Sequence, residues 1–105
     1  MYDILYTIFI GEEEYVFEWD IEKEKTNITK HGINFSTAAL CYLDKDAIEY
    51  LDRYHSDYEE RWVCIGKTRN IICSLVYTKR NNIIRIITAR KASKFEEKTY
   101  YGENS

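Results

Sequence analysis

The stretch IIRIITARKASKFEEKTYY, residues 83–101, decides the fold because it predicts a buried strand that leads directly into a helix. Its first half is a run of β-branched residues of the kind that a sheet buries. Arg85 lies in the middle of this run and Arg90 at its end, where a plain core strand would carry apolar side chains. The two arginines therefore predict contact with an anionic partner.

The second half of the stretch carries a helix start signal. Ser93 and Glu96 have the spacing of a capping box, in which each side chain bonds the backbone amide of the other residue. We expect four residues of this segment to face the sheet, namely Ala92, Phe95, Thr99 and Tyr100.

Upstream of this stretch, apolar runs at 61–67 and 71–78 predict two further strands. Short polar turns join these runs to each other and to the strand at 83–89, so we expect the three strands to be antiparallel neighbours. A strand of alternating character is predicted over 46–52. The polar connection that follows it, 52–60, is rich in side chains that take part in chemistry.

A charged helix is predicted over residues 21–31. Asp20 can accept hydrogen bonds from the free amides of its first turn, and Gly32 suits the left-handed residue just past its end. His31 in the last turn opposes the negative end of the helix dipole. Two interpretations of His31 stay open, a role in ending the helix and a role in catalysis.

A second, short helix is predicted over residues 37–42. Ser36 is its expected N-cap, and Phe35 is expected to pack against Leu40 as a hydrophobic staple. The pattern as a whole predicts an α+β domain, with N-terminal helices packed on a curled antiparallel sheet and a C-terminal helix. At 105 residues the chain is expected to form a single domain, 1–105, with one core.

The opening segment, residues 1–14, begins apolar and ends acidic. It has no basic start and no small-residue cleavage site, and its apolar part is half the length of a membrane span. We therefore expect a strand, and neither a signal peptide nor a membrane anchor. Gly11 begins the turn before a second strand at 15–19.

The cysteines fit reduced core thiols in a cytoplasmic protein better than disulfides or a zinc site. There are three of them, an odd number, and none has the close spacing of a metal-binding pair. They lie within apolar stretches, at Cys41, Cys64 and Cys73.

Charge is unevenly distributed along the chain. Residues 1–60 hold five Lys or Arg and fifteen Asp or Glu, a net charge of −10, whereas residues 61–101 hold ten and two, a net charge of +8. This segregation favours a basic face for phosphates or for an acidic partner. The alternative is that the two halves neutralise each other within the fold.

The sequence has no phosphate-binding loop, no serine-hydrolase or zinc-protease motif, and no carboxylate array spaced for a metal. The functional groups that remain are Arg, Lys, His, Glu and Tyr. They suffice for phosphodiester cleavage without a metal: a base removes the proton of a ribose 2′-hydroxyl, cations stabilise the phosphorane, and an acid protonates the leaving oxygen. No cofactor is predicted.

Short motifs follow one another along the chain: Phe17-Glu18-Trp19-Asp20, Asn27, Lys30-His31-Gly32-Ile33-x-Phe35, Asp52-Arg53-x-His55-Ser56, Glu60-Arg61, Val76-Tyr77-Thr78, and Arg85-Ile86-Ile87-Thr88-Ala89-Arg90-Lys91-Ala92 with Glu96 and Tyr100. In order and spacing they resemble the BrnT family of toxins, over residues 17 to about 101. Family members usually begin near the first motif, so the resemblance does not explain residues 1–14. That segment is either an added edge strand or the product of a translation start placed too early.

The resemblance implies a small ribonuclease toxin of a type II toxin–antitoxin system, with a RelE-like fold. It also implies a partner, the antitoxin BrnA, which has a ribbon-helix-helix DNA-binding domain. The two would form an oligomeric complex that represses its own operon, with operator DNA contacted only through that complex.

The resemblance also implies roles for seven residues. Arg85 and Arg90 are expected to contact the phosphate and stabilise the transition state, since guanidinium groups bind phosphates in a bidentate manner. Glu60 and His31 are the candidates for base and acid. Supporting cations or stacking groups are Arg61, Lys30 and Tyr77.

Several alternatives stay open for these side chains. Strict alternation would put Arg85 and Arg90 on opposite faces of a strand, so a single site requires a bulge or a position past the strand end. A cross-strand ion pair is the structural alternative for Glu60 and Arg61. For His55, a loop hydrogen bond is favoured over catalysis.

Two functions from different classes follow. In the first, the protein is an endoribonuclease. In the second, it is a non-catalytic binding module whose basic groove holds an antitoxin segment or nucleic acid and which acts in transcriptional autoregulation.

Overall fold

The computed structural model describes residues 3–56 and 58–103, and within them it shows a six-stranded mixed sheet with three helices. The strands are β1 (Asp3–Ile10), β2 (Glu13–Asp20), β3 (Ile48–Asp52), β4 (Arg61–Thr68), β5 (Ile71–Arg80) and β6 (Ile83–Lys91). The helices are α1 (Ile21–His31), α2 (Phe35–Tyr42) and α3 (Lys94–Glu103). Residues 1, 2, 57, 104 and 105, which the expected domain 1–105 includes, lie outside the described residues.

The strand order across the sheet is β1-β2-β6-β5-β4-β3. The predicted antiparallel neighbours β4, β5 and β6 are confirmed. The prediction of a wholly antiparallel sheet that follows the helices is wrong. The β1–β2 hairpin comes before α1, and β2 runs parallel to β6. An alternating apolar pattern shows that a segment is a strand, but it does not show in which direction the partner runs.

The predicted ends of α1 are confirmed. The Asp20 carboxylate accepts a hydrogen bond from the Glu22 amide at 2.9 Å. Gly32 adopts a φ of 70°, and its N–H donates to the carbonyl of Ile28. Capping residues at both ends therefore define this helix locally.

The predicted start of α2 is wrong by two residues. The helix begins at Phe35, and its N-cap is Asn34, whose side chain accepts from the Thr37 amide at 2.9 Å. Ser36 lies inside the first turn and donates to the Asn34 side chain at 3.0 Å. Phe35 is fully buried while Leu40 is exposed, so the two do not form a staple. Asn and Ser are nearly equal as N-caps, so tertiary packing of Phe35 decides between them.

The main core lies between α2 and one face of the sheet. Fully buried side chains of the sheet, Phe17, Leu75 and Ile86, pack there with Phe35 and Ala38 of α2. The three cysteines are free and buried, as predicted, and burial raises the pKa of Cys64 to about 12. These thiols are structural groups of the core.

On the opposite face of the sheet, α3 packs at one end. Tyr100 packs there against Ile65 and Ile72. The capping box is confirmed, since the Ser93 amide donates to Glu96 at 2.8 Å and the Glu96 amide donates to Ser93 at 3.1 Å. Phe95 is 78% exposed, contrary to expectation, because the helix meets the sheet one turn later, at Tyr100.

The side chain of Asn27 in α1 hydrogen-bonds the backbone of β6 as a neighbouring strand would. It does so at Ala89, beyond Arg85, where the pairing of β6 with β2 ends. Its side-chain amide donates to the carbonyls of Ala89 and Ile33, at 2.8 and 2.9 Å, and accepts from the amide of Ala89 at 3.0 Å. All three hydrogen bonds are buried. Asn27 therefore fixes α1 to the C-terminal half of β6.

Replacing Asn27 with alanine is expected to lower the free energy of unfolding by about 2 kcal/mol, because it leaves the backbone groups of Ala89 and Ile33 buried without partners. Urea unfolding of the purified protein measures the change. Thr29→Ala is the control in the same helix, since Thr29 is exposed, and its effect should stay within about 0.5 kcal/mol. Equal effects of the two substitutions would contradict this role of Asn27.

Asp44 joins the end of α2 to β4 and α3. Its carboxylate accepts from the Lys67 amide at 2.9 Å, from the Asp46 amide at 3.0 Å and from the Tyr100 hydroxyl at 2.5 Å. Burial alone would raise the pKa of Asp44, but these hydrogen bonds outweigh it and hold the pKa below its usual value of 3.8. The ionised form of Asp44 therefore stabilises the fold.

The contribution of Asp44 to stability is expected to be complete at neutral pH and to be lost as the pH falls from about 4 through the depressed folded-state pKa, because the two states bind protons equally only below both pKa values. Asp44→Asn should therefore be less stable than the wild type at pH 7, by an amount on the order of 1 kcal/mol, and this difference should shrink at pH 3. Urea unfolding at both pH values tests this. Glu12→Gln, in the exposed β1–β2 turn, is the control. A difference that grows toward pH 3 would refute the assignment.

Candidate phosphate-binding face

A β-bulge in β6 determines which way its arginines point. Val76 of β5 pairs with Thr88, but the next residue, Tyr77, pairs with Ile86, so that Ile87 is an extra residue in β6. An extra residue shifts the alternation of side chains by one position. Before the bulge the odd-numbered side chains of β6 lie on one face of the sheet. After it the even-numbered side chains lie on that same face.

The bulge places both predicted phosphate contacts on one face of the sheet. Arg85 pairs with Thr78 and Arg90 pairs with Ser74. Thr78 and Ser74 are four residues apart in a regular strand, so their side chains and those of their partners point to the same side. That side is the one away from α2, because the intervening residue Leu75 is in the α2-facing core.

Arg61 joins these arginines from β4. It precedes Trp62, which pairs with Tyr77, so the antiparallel register brings Arg61 beside Thr78. Arg61, Thr78 and Arg85 thus form a row across three strands, which are spaced about 4.8 Å apart in a sheet. We use the term open face for the side of the sheet that bears Arg61, Thr78, Arg85, Thr88 and Arg90.

Carboxylates bind two of these arginines in this structure. The two terminal nitrogens of Arg85 lie 3.1 Å from the two carboxylate oxygens of Asp3, and Glu18 lies 3.4 Å away. Arg90 binds Glu96 of α3 at 2.8 and 3.0 Å. The hydrogen bonds to Asp3 and Glu96 are the main reason why the pKa values of Arg85 and Arg90 are raised above their ordinary value.

Neighbouring basic residues are paired in the same way. Arg80 binds Glu59 at 2.5 and 2.7 Å, and Lys79 binds Glu49 at 3.1 Å. The acidic first half of the chain therefore partly neutralises the basic second half, as the second interpretation of the charge pattern predicts. Within the described ranges, the guanidinium group of Arg61 has neither an ion pair nor a side-chain hydrogen bond.

Glu60 lies directly before β4 and is exposed. Ser56 fixes this point of the chain, since its hydroxyl accepts from the Arg61 amide at 3.0 Å and donates to the Asp52 carbonyl at 2.5 Å. Among the described residues no ion pair joins Glu60 to Arg61. His55 lies in the same loop with Nδ1 2.9 Å from the Asp52 carboxylate, as expected for a loop hydrogen bond.

Lys30 and His31 lie outside the arginine row. Both are exposed and line a groove of about 380 Å³ between α1 and β6, together with Lys23. Thr88 of the open face lines the same groove. The groove therefore adjoins the open face, but the structure does not place Lys30 or His31 in contact with Arg61 or Arg85.

Tyr77 requires a correction as a stacking residue. Its ring is fully buried on the α2 side of the sheet, 5.1 Å from the ring of Tyr42 in an edge-to-face arrangement. Its hydroxyl donates to Glu49, and burial is the main reason why its pKa is raised. A ring without accessible surface cannot stack on a base, so Tyr77 is not part of the proposed site.

Tyr50 of β3 is an exposed aromatic residue that was not among the predicted site residues. It pairs with Val63 on the same side as Arg61, and 45% of the residue is exposed. Partial burial and then the carboxylate of Glu96 raise the pKa of the Tyr50 hydroxyl. Only the register of β3 against β4 reveals that Tyr50 belongs to the open face.

Thr78 lies between Arg61 and Arg85 with 2% of its surface exposed. Its hydroxyl oxygen has no hydrogen-bond partner among the described residues. The same part of the chain contains no group of three or more His, Cys, Asp or Glu placed to hold a metal. It also has no helix of the length and apolarity that crossing a membrane requires.

The fold and the open face together define a small α+β protein whose sheet carries arginines on one face. Residues 19–96 match the family model described as ribonuclease toxin, BrnT, of type II toxin-antitoxin system. The match covers well over half of the chain, and the chain belongs to this family, as the order of its motifs indicated. Comparison with curated proteins gives no match.

Proposed function

We propose that this protein is an endoribonuclease that cleaves RNA on the open face without a metal ion. The observation that carries the proposal is the bulge at Ile87, which puts Arg85 and Arg90 on the same side of the sheet as Arg61. Membership of a ribonuclease toxin family supplies the substrate class. Cationic groups that converge on one phosphate stabilise the charge that develops in the transition state.

In the proposed mechanism, a ribose 2′-hydroxyl attacks the adjacent phosphorus atom and the 5′-oxygen leaves. Arg61 and Arg85, neighbours of Thr78 on either side, hold the phosphorane oxygens. Arg90 contacts a flanking phosphate from its position beside α3. Glu60 and His31 remain the candidates for the base and the acid.

Tyr50 takes the stacking role in this proposal in place of Tyr77. Aromatic rings exposed beside a cationic groove bind bases by stacking, without regard to sequence. Lys30 lies in the groove that adjoins the open face and supplies an additional positive charge for the RNA strand.

The direct test is incubation of the purified protein with a labelled RNA in the presence of EDTA. We expect cleavage that EDTA does not reduce, products with cyclic 2′,3′-phosphate ends, and no cleavage of a DNA of the same sequence, because DNA lacks the 2′-hydroxyl. Absence of RNA cleavage, or cleavage only when a divalent metal is added back, would rule out this mechanism.

We propose further that the protein acts in the cytoplasm, inhibits translation and growth there, and is neutralised by a BrnA-like antitoxin with a ribbon-helix-helix domain. Family membership supports an antitoxin partner in general terms. The arginines of the open face already bind carboxylates in this structure, so an acidic antitoxin segment is chemically suited to the same face. Operator DNA would be contacted only through the antitoxin in an oligomeric complex.

The same carboxylate contacts favour the second function, a non-catalytic module that binds an antitoxin or nucleic acid. Expression in growing cells separates the two. Growth arrest that requires Arg85 supports the ribonuclease, whereas binding without arrest supports the module.

A further inference from the structure

Asp3 binds Arg85 in the geometry that a phosphate would use. Each of the two terminal nitrogens of Arg85 lies 3.1 Å from one oxygen of the Asp3 carboxylate. Two parallel N–H···O contacts of this kind are the common bidentate mode for carboxylates and for phosphates alike. The carboxylate and an RNA phosphate therefore compete for the same donors.

Asp3 lies on the solvent side of the contact. Its side chain is 47% exposed, whereas the side chain of Arg85 is 21% exposed. The hydrogen bond to Arg85 is the main reason why the pKa of Asp3 lies below its usual value, so the carboxylate is ionised at neutral pH. The carboxylate therefore occupies both terminal nitrogens of Arg85 at the protein surface.

The contact comes from a part of the chain that the family match does not include. Asp3 is the first residue of β1, an edge strand that pairs with β2, and the match begins at residue 19. Ile4, Tyr6 and Ile8 attach the other side of β1 to the core. Asp3 can therefore leave Arg85 by a change of its side-chain rotamer while β1 stays in place.

We propose that the N-terminal strand inhibits the protein's own RNA site by holding Arg85 with the carboxylate of Asp3. This inference rests on the proposed function, because it takes Arg85 as a phosphate contact. RNA must displace Asp3 before it binds Arg85, so the strand lowers the affinity for RNA without closing the open face.

The test compares Asp3→Asn with Glu13→Gln in two measurements. Glu13 is exposed, lies at the opposite end of the β1–β2 hairpin, and its substitution changes the net charge by the same amount. The measurements are cleavage of a labelled RNA and binding of an uncleavable 2′-O-methyl oligonucleotide by fluorescence anisotropy. Asp3→Asn is expected to tighten binding and to raise kcat/KM by roughly threefold to tenfold, and Glu13→Gln by less than about twofold.

An Arg85→Ala background shows whether the gain passes through this arginine. In the Arg85→Ala protein, Asp3→Asn should increase RNA binding and kcat/KM no more than Glu13→Gln does, because Asp3 acts through its contact with Arg85. Equal gains from the two substitutions in the wild type, or weaker RNA binding by Asp3→Asn, would overturn the inference while the ribonuclease assignment stands. Absence of cleavage by every variant, with oligonucleotide binding still dependent on Asp3, would instead count against the proposed function.

Discussion

Replacing Arg85 with alanine is expected to slow RNA cleavage by about two to three orders of magnitude, the usual cost of removing one preorganised donor to a developing charge. Arg85 lies beside Thr78 on the open face and offers two terminal nitrogens in parallel. In the proposed mechanism these nitrogens hold the phosphorane, and alanine removes both of them. The initial rate of cleavage of a labelled RNA, with the protein in excess, measures the effect on the chemical step.

Lys91→Ala is the matched control for this prediction. Lys91 is exposed in the same strand, but it pairs with Cys73, whose side chain lies in the α2-facing core. Its loss removes one positive charge from β6 on the other side of the sheet, so cleavage should change by less than about threefold. A similar loss of activity in both variants would show that net charge, rather than the open face, accounts for the effect of Arg85.

Arg85→Ala also removes the partner of Asp3 and Glu18, so its folding must be checked. The Asp3 carboxylate is exposed and Glu18 keeps a second contact, to Arg80, so the loss of these pairs should leave the protein folded. A thermal melt followed by circular dichroism should therefore show a folded variant. Wild-type rates in a folded Arg85→Ala protein would exclude Arg85 from the site.

Gly66→Ala is expected to lower the free energy of unfolding by about 3 kcal/mol or more, the upper end of the range for overpacking a core. A Cβ atom at Gly66 would lie 1.9 Å from the carbonyl oxygen of Cys41 and 2.8 Å from its carbonyl carbon. These are backbone atoms of α2, so no side-chain rotation relieves the clash. Either α2 or β4 must shift, and the packing of Phe35 and Ala38 shifts with it.

Gly102→Ala is the control for this prediction. Gly102 lies in α3, and a Cβ atom there would meet nothing within 4 Å. Alanine favours a helix over glycine, so this variant should be as stable as the wild type or more stable by up to about 1 kcal/mol. Urea unfolding of both variants tests the comparison. A free energy of unfolding for Gly66→Ala within about 1 kcal/mol of the wild-type value would mean that α2 does not pack against β4 as closely as described.

The candidate site was accessible to sequence reasoning only in part. Arg85 and Arg90 stood out because charged residues interrupt or end a β-branched run. The sequence did not show that the two arginines share a face, because the bulge leaves no local signal in the sequence and is created by the pairing with β5. The predicted stacking role of Tyr77 was wrong for a related reason, since alternation within a strand does not say which face a helix covers.

Asp3 and Tyr50 were missed because their relation to the arginines is long-range. Asp3 is 82 residues from Arg85 along the chain, and Tyr50 reaches the open face through the register of β3 against β4. No periodic pattern links such positions. The catalytic or binding roles assigned to Arg85, Arg90, Arg61, Glu60, Lys30 and His31 stay predictions that kinetic measurements of the variants test.

The sequence by itself determined the elements of this protein and its family. Asp20 and Gly32 define α1, and Ser93 with Glu96 starts α3, because capping depends on hydrogen bonds between residues a few positions apart. Tertiary structure alone decided that β2 runs parallel to β6, that a bulge turns Arg90 to the side of Arg85, and that Asp3 binds that arginine. The physical reason is that register, bulges and long-range ion pairs result from packing the whole sheet at once, which no local stretch specifies.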